Sequence, residues 1–228
     1  MKIGVAIPCY KYHIPALKRC LDSIEKQSIK PDIVVVSCSS CVKEDIPIEY
    51  TFYSYPIIFL TTEKRQNASK NRNIASMKCI EEGMDYITYI DCDDEMHPQR
   101  IEMLKRAIDE NKECEFIIHN FYLESECSNE FKKINNPSFY HNVLKRKSDG
   151  WGVDLSIQLN EKGVPNGHHA QSTVSKRLFL KEMYNESEYY ERKEDSFFCA
   201  NCLTDPNIKT TYIYDVLSKY YPEGKTIF

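Results

Sequence analysis

No apolar run in this sequence approaches the roughly 20 residues that a membrane-spanning helix needs. The run from Ile3 to Ile7 is too short for the centre of a secretory signal and leads straight into Pro8. The expectation is a cytoplasmic protein with no integral membrane segment. A basic surplus is also missing: 34 acidic residues against 30 Lys and Arg leave a net charge of −4. That balance argues against a partner bound through nucleic-acid phosphates. There is no internal repeat and no low-complexity linker. No glycine-rich phosphate loop follows the first strand, where Pro8-Cys9-Tyr10-Lys11 stands instead.

The 228 residues that are present suffice for one compact domain with a real core. In a cytoplasmic setting the ten cysteines read as buried or free thiols rather than a disulfide framework. Two pairs, Cys38/Cys41 and Cys199/Cys202, have CxxC spacing, which also admits a four-thiolate zinc site. Unrelated small hydrophobes on different elements are the preferred reading.

Short β-branched or apolar runs at 3–7, 33–36, 57–60, 86–90 and 116–121 read as strands. Helical spacing appears over 16–27 and 70–82, the latter stopped by Gly83, and again after Pro98, which suits a first helical residue. This alternation predicts an α/β fold: a mostly parallel central sheet flanked by helices. Residues 1–121 form the expected nucleotide-binding half and 122–228 the acceptor-side half of one domain. Loops and short elements are expected from Leu123 to Gly150. Helices near 175–183 and 195–203 and a strand near 208–213 close the domain.

Asp91-Cys92-Asp93-Asp94 follows directly on the strand at 86–90. It therefore lies at the carboxyl edge of the sheet, where open α/β sheets bind ligands. Three carboxylates in four residues repel one another unless a cation sits among them. An oxygen-preferring divalent ion, Mn2+ or Mg2+, is the natural partner, held by one or two carboxylates plus phosphate oxygens. A solvated acidic turn ahead of a helix is the plainer alternative.

Several segments, in order, resemble family 2 glycosyltransferases of the GT-A fold. They are Ile7-Pro8-Cys9-Tyr10, the helix LKRCLDSIEKQ at 17–27, the strand Ile33 to Ser37, Ser69 to Asn73, Asp91 to Asp94 with Pro98 after it, and Glu194-Asp195. The resemblance implies an inverting transfer from a nucleoside-diphosphate sugar to a hydroxyl acceptor with a divalent metal. It implies that Pro8, Tyr10 and Arg72 border the nucleotide and that Asp91 lies near the ribose and the metal's hydration shell. Asp93 would be the direct metal ligand, with Asp91 assisting and Asp94 beside the donor sugar. Asp195 would be the general base and Glu194 its backup.

The sequence departs from the family pattern at two places. Ser37-Cys38-Ser39-Ser40 has no carboxylate where the family often contacts uracil, although a UDP-sugar remains the favoured donor. In the stretch before and within the segment at 69–73, Arg65 and Asn67 stand for the usual Asn and Gly and Asn71 for the usual Ala; Arg65, on a loop, can reach phosphate or stay solvated.

Ser37, Arg65, Cys92, Trp151, His168 and His169 complete the candidate substrate-binding set. Trp151 is the sole tryptophan and is flanked by glycines, so its indole could stack on a sugar. His97, at a helix start, is expected to face solvent. Tyr189-Tyr190 and Tyr220-Tyr221 could face an acceptor, a partner or the core. The acceptor is expected to be a glycan, glycolipid or protein-linked hydroxyl. The competing readings are a non-catalytic sugar-nucleotide or glycan-binding module and a sugar nucleotidyltransferase. The absent glycine-rich loop counts against the second.

Overall fold

The computed structural model describes residues 1–126, 128–142, 171–188 and 193–221. Among them nine strands join one sheet. In chain order they are β1 (Ile3–Tyr10), β2 (Ile33–Ser39), β3 (Ile57–Thr62), β4 (Tyr86–Tyr89), β5 (Glu95–Met96), β6 (Phe116–Tyr122), β7 (Phe139–His141), β8 (Thr173–Ser175) and β9 (Thr210–Lys219). The helices are α1 (Ile14–Glu25), α2 (Ala68–Glu81), α3 (Arg100–Glu110), α4 (Lys176–Lys181) and α5 (Glu194–Thr204). The spatial order is β3-β2-β1-β4-β8-β6-β9-β5, with β7 also on β9. The block β3-β2-β1-β4 is wholly parallel, and so is β6 with β9. β8 runs antiparallel to both β4 and β6.

The sequence explains the parallel block. Nearly every residue of β1 and all of β2 are buried, as a strand covered on both faces requires. Alternate side chains feed two cores. Ile3, Val5, Ile7, Val34 and Val36 meet Leu17, Leu21 and Ile24 of α1 and Ile101 and Leu104 of α3. Ala6, Ile33 and Val35 meet Ala75 and Cys79 of α2 and Phe198 of α5. Cys38 and Cys41 lie in the first core, Cys199 and Cys202 in the second, so the sheet separates the two CxxC pairs and they cannot share a zinc ion.

α2 starts at Asn67, whose side chain accepts the Lys70 N–H. It ends at Gly83, with φ +83, where the Gly83 and Met84 N–H groups reach Ile80 and Cys79 carbonyls. Only glycine adopts that left-handed turn without cost. This end delivers Cys79 and Met84 against Gly4, where an added Cβ would meet Cys79 Sγ and Met84 Cγ, each at 2.9 Å. Gly4→Ala should therefore cost about 1–3 kcal/mol by overpacking, read as a fall in denaturation midpoint.

Some boundaries differ from the sequence reading. α3 begins at Arg100, with Gln99 at its cap, so Pro98 precedes the helix. β9 extends to Lys219 through register shifts opposite His119 and Asn120. Such bulges hide a strand's alternation from the sequence.

His97 is buried rather than solvent-facing. Its Nδ1 accepts the Gln99 N–H at 2.9 Å and its Nε2 faces the Lys132 carbonyl at 3.0 Å, which fixes a neutral ring protonated on Nε2. Burial pushes its pKa below the ordinary value of 6.5. The unfolded chain then binds the extra proton first, so His97 costs stability as the pH falls below about 6.5. Asp91, described below, acts in the opposite sense, and a comparison with His97→Asn cancels it. Thermal midpoints measured from pH 7.5 to 5 should fall more steeply for the native chain than for the variant. Parallel curves would refute this.

Candidate active site

The carboxyl ends of β1, β2 and β4 converge with the amino-terminal turns of α2 and α5. Asn71, in the first turns of α2, ties two of those strand ends together. Its Nδ2 donates to the Cys9 carbonyl at 3.2 Å and to Ser39 Oγ at 3.1 Å, and its Oδ1 accepts from Ser37 Oγ at 3.0 Å. An alanine could do none of this, so the departure at Asn71 and the serines of β2 form one set. The Ser37 side chain is fully buried in that set and holds the wall rather than a ligand. Pro8 is buried within β1, and Tyr10 at its end is half-buried with its ring 5.3 Å from that of Tyr12. Arg65 is exposed on the loop between β3 and α2.

Arg72 is the centre of the site. Its guanidinium is 3% exposed, with Nη2 donating to Asp91 Oδ1 at 2.8 Å and Nη1 to Glu194 Oε1 at 2.6 Å. One arginine thus joins the acidic run after β4 to the acidic pair opening α5, which lies 122 residues beyond it. Behind it, the Tyr184 ring stacks on Phe198 at 4.0 Å, and the guanidinium carbon lies 5.4 Å from the Tyr184 ring centre. The sequence reading gave Arg72 to the nucleotide; the structure gives both its terminal nitrogens to carboxylates. Asp195 follows Glu194 and is half-buried, its Oδ1 accepting the Ser196 N–H at 2.7 Å. It lies close enough to act on the charges of both Arg72 and Asp91.

Burial pushes the Asp91 carboxyl up to about 6; Arg72 opposes the shift, while Asp93 and Asp195 add to it. Asp93 is half-buried at the turn, and Arg19 Nη2 of α1 donates to its carbonyl at 2.5 Å. Asp94 differs from the expectation. It is fully buried, with Oδ2 accepting from Gln171 Nε2 and Oδ1 accepting the Tyr221 N–H at 2.8 Å. Both oxygens are engaged within the protein, so Asp94 shapes the turn rather than facing a sugar. Cys92 also turns inward, into the core beneath α1, beside Cys9 and His13. A contact from Cys92 to a ligand would have to come from its backbone.

Beneath the turn lies a support that the sequence reading did not find. Arg100 of α3 is fully buried, its Nη2 donating to Thr88 Oγ1, the Tyr89 carbonyl and the Gln171 carbonyl at 2.8, 2.8 and 2.7 Å, and its Nη1 to Gln171 Oε1 at 3.1 Å. Gln171 is the link from Arg100 to Asp94. The one sequence signal was a charged residue on the apolar side of α3, beside Ile101 and Leu104.

The donor set fits an oxygen-preferring cation. Burial raises the Asp91 pKa first and the neighbouring Asp93 charge adds to it, and a divalent ion beside the two carboxylates would oppose both. Among the described residues no three His, Cys, Asp or Glu side chains gather as a complete ion site. Trp151, His168 and His169, with Tyr189 and Tyr190, lie outside the described residues. No helix among the described residues is long and apolar enough to cross a membrane.

Comparison with known proteins bears on the family and the fold. Glycosyl transferase family 2 matches residues 4–170 of the chain. An uncharacterised glycosyltransferase of Haemophilus influenzae is 29% identical over 119 residues, covering 51% of this chain and 38% of that protein. Among solved structures, residues 1–349 of S. aureus TarS in complex with UDP superpose with a TM-score of 0.66 at 15% identity, covering 98% of this chain and 62% of that one. The same protein with UDP-GlcNAc gives 0.66 at 14%, covering 96% and 58%. The chain thus spans less than two thirds of each of these relatives. The structures establish the shared fold, the GT-A arrangement of a curled sheet flanked by helices, and the family match spans most of the sequence: the chain belongs to glycosyl transferase family 2.

Proposed function

We propose that this chain moves a sugar from a nucleoside-diphosphate sugar, a UDP-sugar by preference, to a hydroxyl of a glycan, glycolipid or protein-linked acceptor, inverting the anomeric centre. The observation that carries the reading is the Arg72 bridge, which sets the acidic turn beside Asp195 at the carboxyl edge of the sheet. The TarS structures, which hold UDP and UDP-GlcNAc on the same fold, support the donor class. Asp91 and Asp93 would hold Mn2+ or Mg2+. When bound, that ion supplies neutralisation of the charge that develops on the departing diphosphate. Asp195 takes the proton of the acceptor hydroxyl as its oxygen bonds to the anomeric carbon and the bond to the diphosphate breaks. The wall of β1 and β2, fixed by Asn71, holds the nucleotide so that donor and acceptor stay in line.

The test is a calorimetric titration of the purified protein with UDP and other nucleoside diphosphates, with manganese and with a chelator. Manganese-dependent binding of one nucleotide is expected; no binding under either condition would overturn the reading. Asp93→Ala should weaken the manganese-dependent binding by about 10-fold or more. An unchanged affinity would remove Asp93 from the metal site.

A further inference from the structure

The Asp93 carboxylate stands on a turn closed by the Asp94 N–H on the Asp91 carbonyl at 3.1 Å, and that one bond does not fix where the side chain points. What surrounds the turn does. Arg19 reaches across from α1 and donates to the Asp93 carbonyl at 2.5 Å. The same guanidinium carbon lies 3.9 Å from the ring centre of Tyr221. Tyr221 in turn donates its backbone N–H to Asp94 Oδ1 at 2.8 Å and its hydroxyl to Glu95 Oε2 at 3.2 Å.

The neighbouring residues of β9 continue the pattern. Lys219 pairs with Glu95 in the ladder and by charge at 3.5 Å, Ser218 pairs with Met96, and the Leu217 carbonyl accepts the His97 N–H at 2.9 Å. Every residue from 93 to 97 is therefore held by Arg19 or by the stretch 217–221.

We propose that Arg19 and Tyr221 are positioning residues for the Asp93 carboxylate: the tyrosine ring braces the guanidinium, and the guanidinium holds the peptide that carries Asp93. The inference rests on the reading above, in which Asp93 meets the cation and the diphosphate. A planar cation over an aromatic face is a directional support. Second-layer partners of this kind tune metal affinity rather than make it. Neither residue needs to touch the ligand.

The experiment is calorimetry of UDP into the full chain, with manganese and with a chelator, for the native protein, Arg19→Leu, Tyr221→Ala and Tyr221→Phe. Arg19→Leu and Tyr221→Ala should each weaken the manganese-dependent affinity by about 10-fold while leaving UDP binding in chelator within about twofold. Tyr221→Phe keeps the ring under Arg19 and should stay within about threefold of native. A merely structural role would lower the thermal midpoint without this split.

The proposal is overturned if Arg19→Leu, with a native thermal midpoint, binds manganese and UDP as the native chain does. It is overturned also if Tyr221→Phe loses as much as Tyr221→Ala. Should Tyr221→Ala fail to fold, Arg19→Leu and Tyr221→Phe still decide. Absence of manganese-dependent binding in the native chain would instead overturn the reading on which the inference rests.

Discussion

Asp195→Asn should lower the turnover of sugar transfer by roughly 10²- to 10⁴-fold while leaving donor affinity within about twofold, because it removes a proton acceptor and keeps the shape. Two acids open α5, and they differ in burial and partner. Glu194 is spent on Arg72 at 2.6 Å and is 8% exposed. Asp195, the half-buried neighbour, is steadied by the Ser196 N–H. A general base must meet the acceptor proton, and the buried, paired carboxylate is the poorer candidate. Steady-state kinetics with a sugar nucleotide, together with binding of the same donor, measure the two effects apart. Turnover of Asp195→Asn within a few-fold of native would place the base elsewhere.

Arg72→Met should be the most destabilising single change at the site. Both its carboxylate partners stay behind, Glu194 buried and Asp91 at 25% exposure, with no cation between them. Breaking a buried pair from one side costs about 3–5 kcal/mol, chiefly through the charge left unpaired. For a chain of this size that is a fall in thermal midpoint of roughly 10 °C. Adding Glu194→Gln should recover part of the loss, because one of the two stranded charges is then gone. A shift of less than about 2 °C for the single variant would mean that Arg72 carries little of the stability argued here.

The parallel half of the fold was legible because its strands are buried on both faces and so read as uninterrupted β-branched runs, as at Ile33 to Val36. The acidic turn was legible because three carboxylates in sequence carry their own electrostatics. β5 and β8 were not, because each is too short to show alternation and borrows its identity from β9, β4 and β6. The support beneath the site was hidden for a related reason. Arg100, Gln171 and Arg19 belong to segments whose local patterns are complete without them, and only the packed fold reveals which polar groups they satisfy. Cys92 and Asp94 show the limit of reading a motif as a unit. Neighbours in an acidic run need not face the same way: here Cys92 and Asp94 are buried, while Asp91 and Asp93 are half-buried.

The placement of β8 has a consequence for how the molecule comes into being. β4 and β6 are made early, yet in the finished sheet Thr173–Ser175 lies between them. Until that triplet has left the ribosome, the facing edges of both strands lack their native partner, and unpaired edges invite association with other chains. A fragment cut after residue 121 would keep those edges open for good. Residues 1–121 expressed by themselves should therefore be poorly soluble, whatever their affinity for a nucleotide.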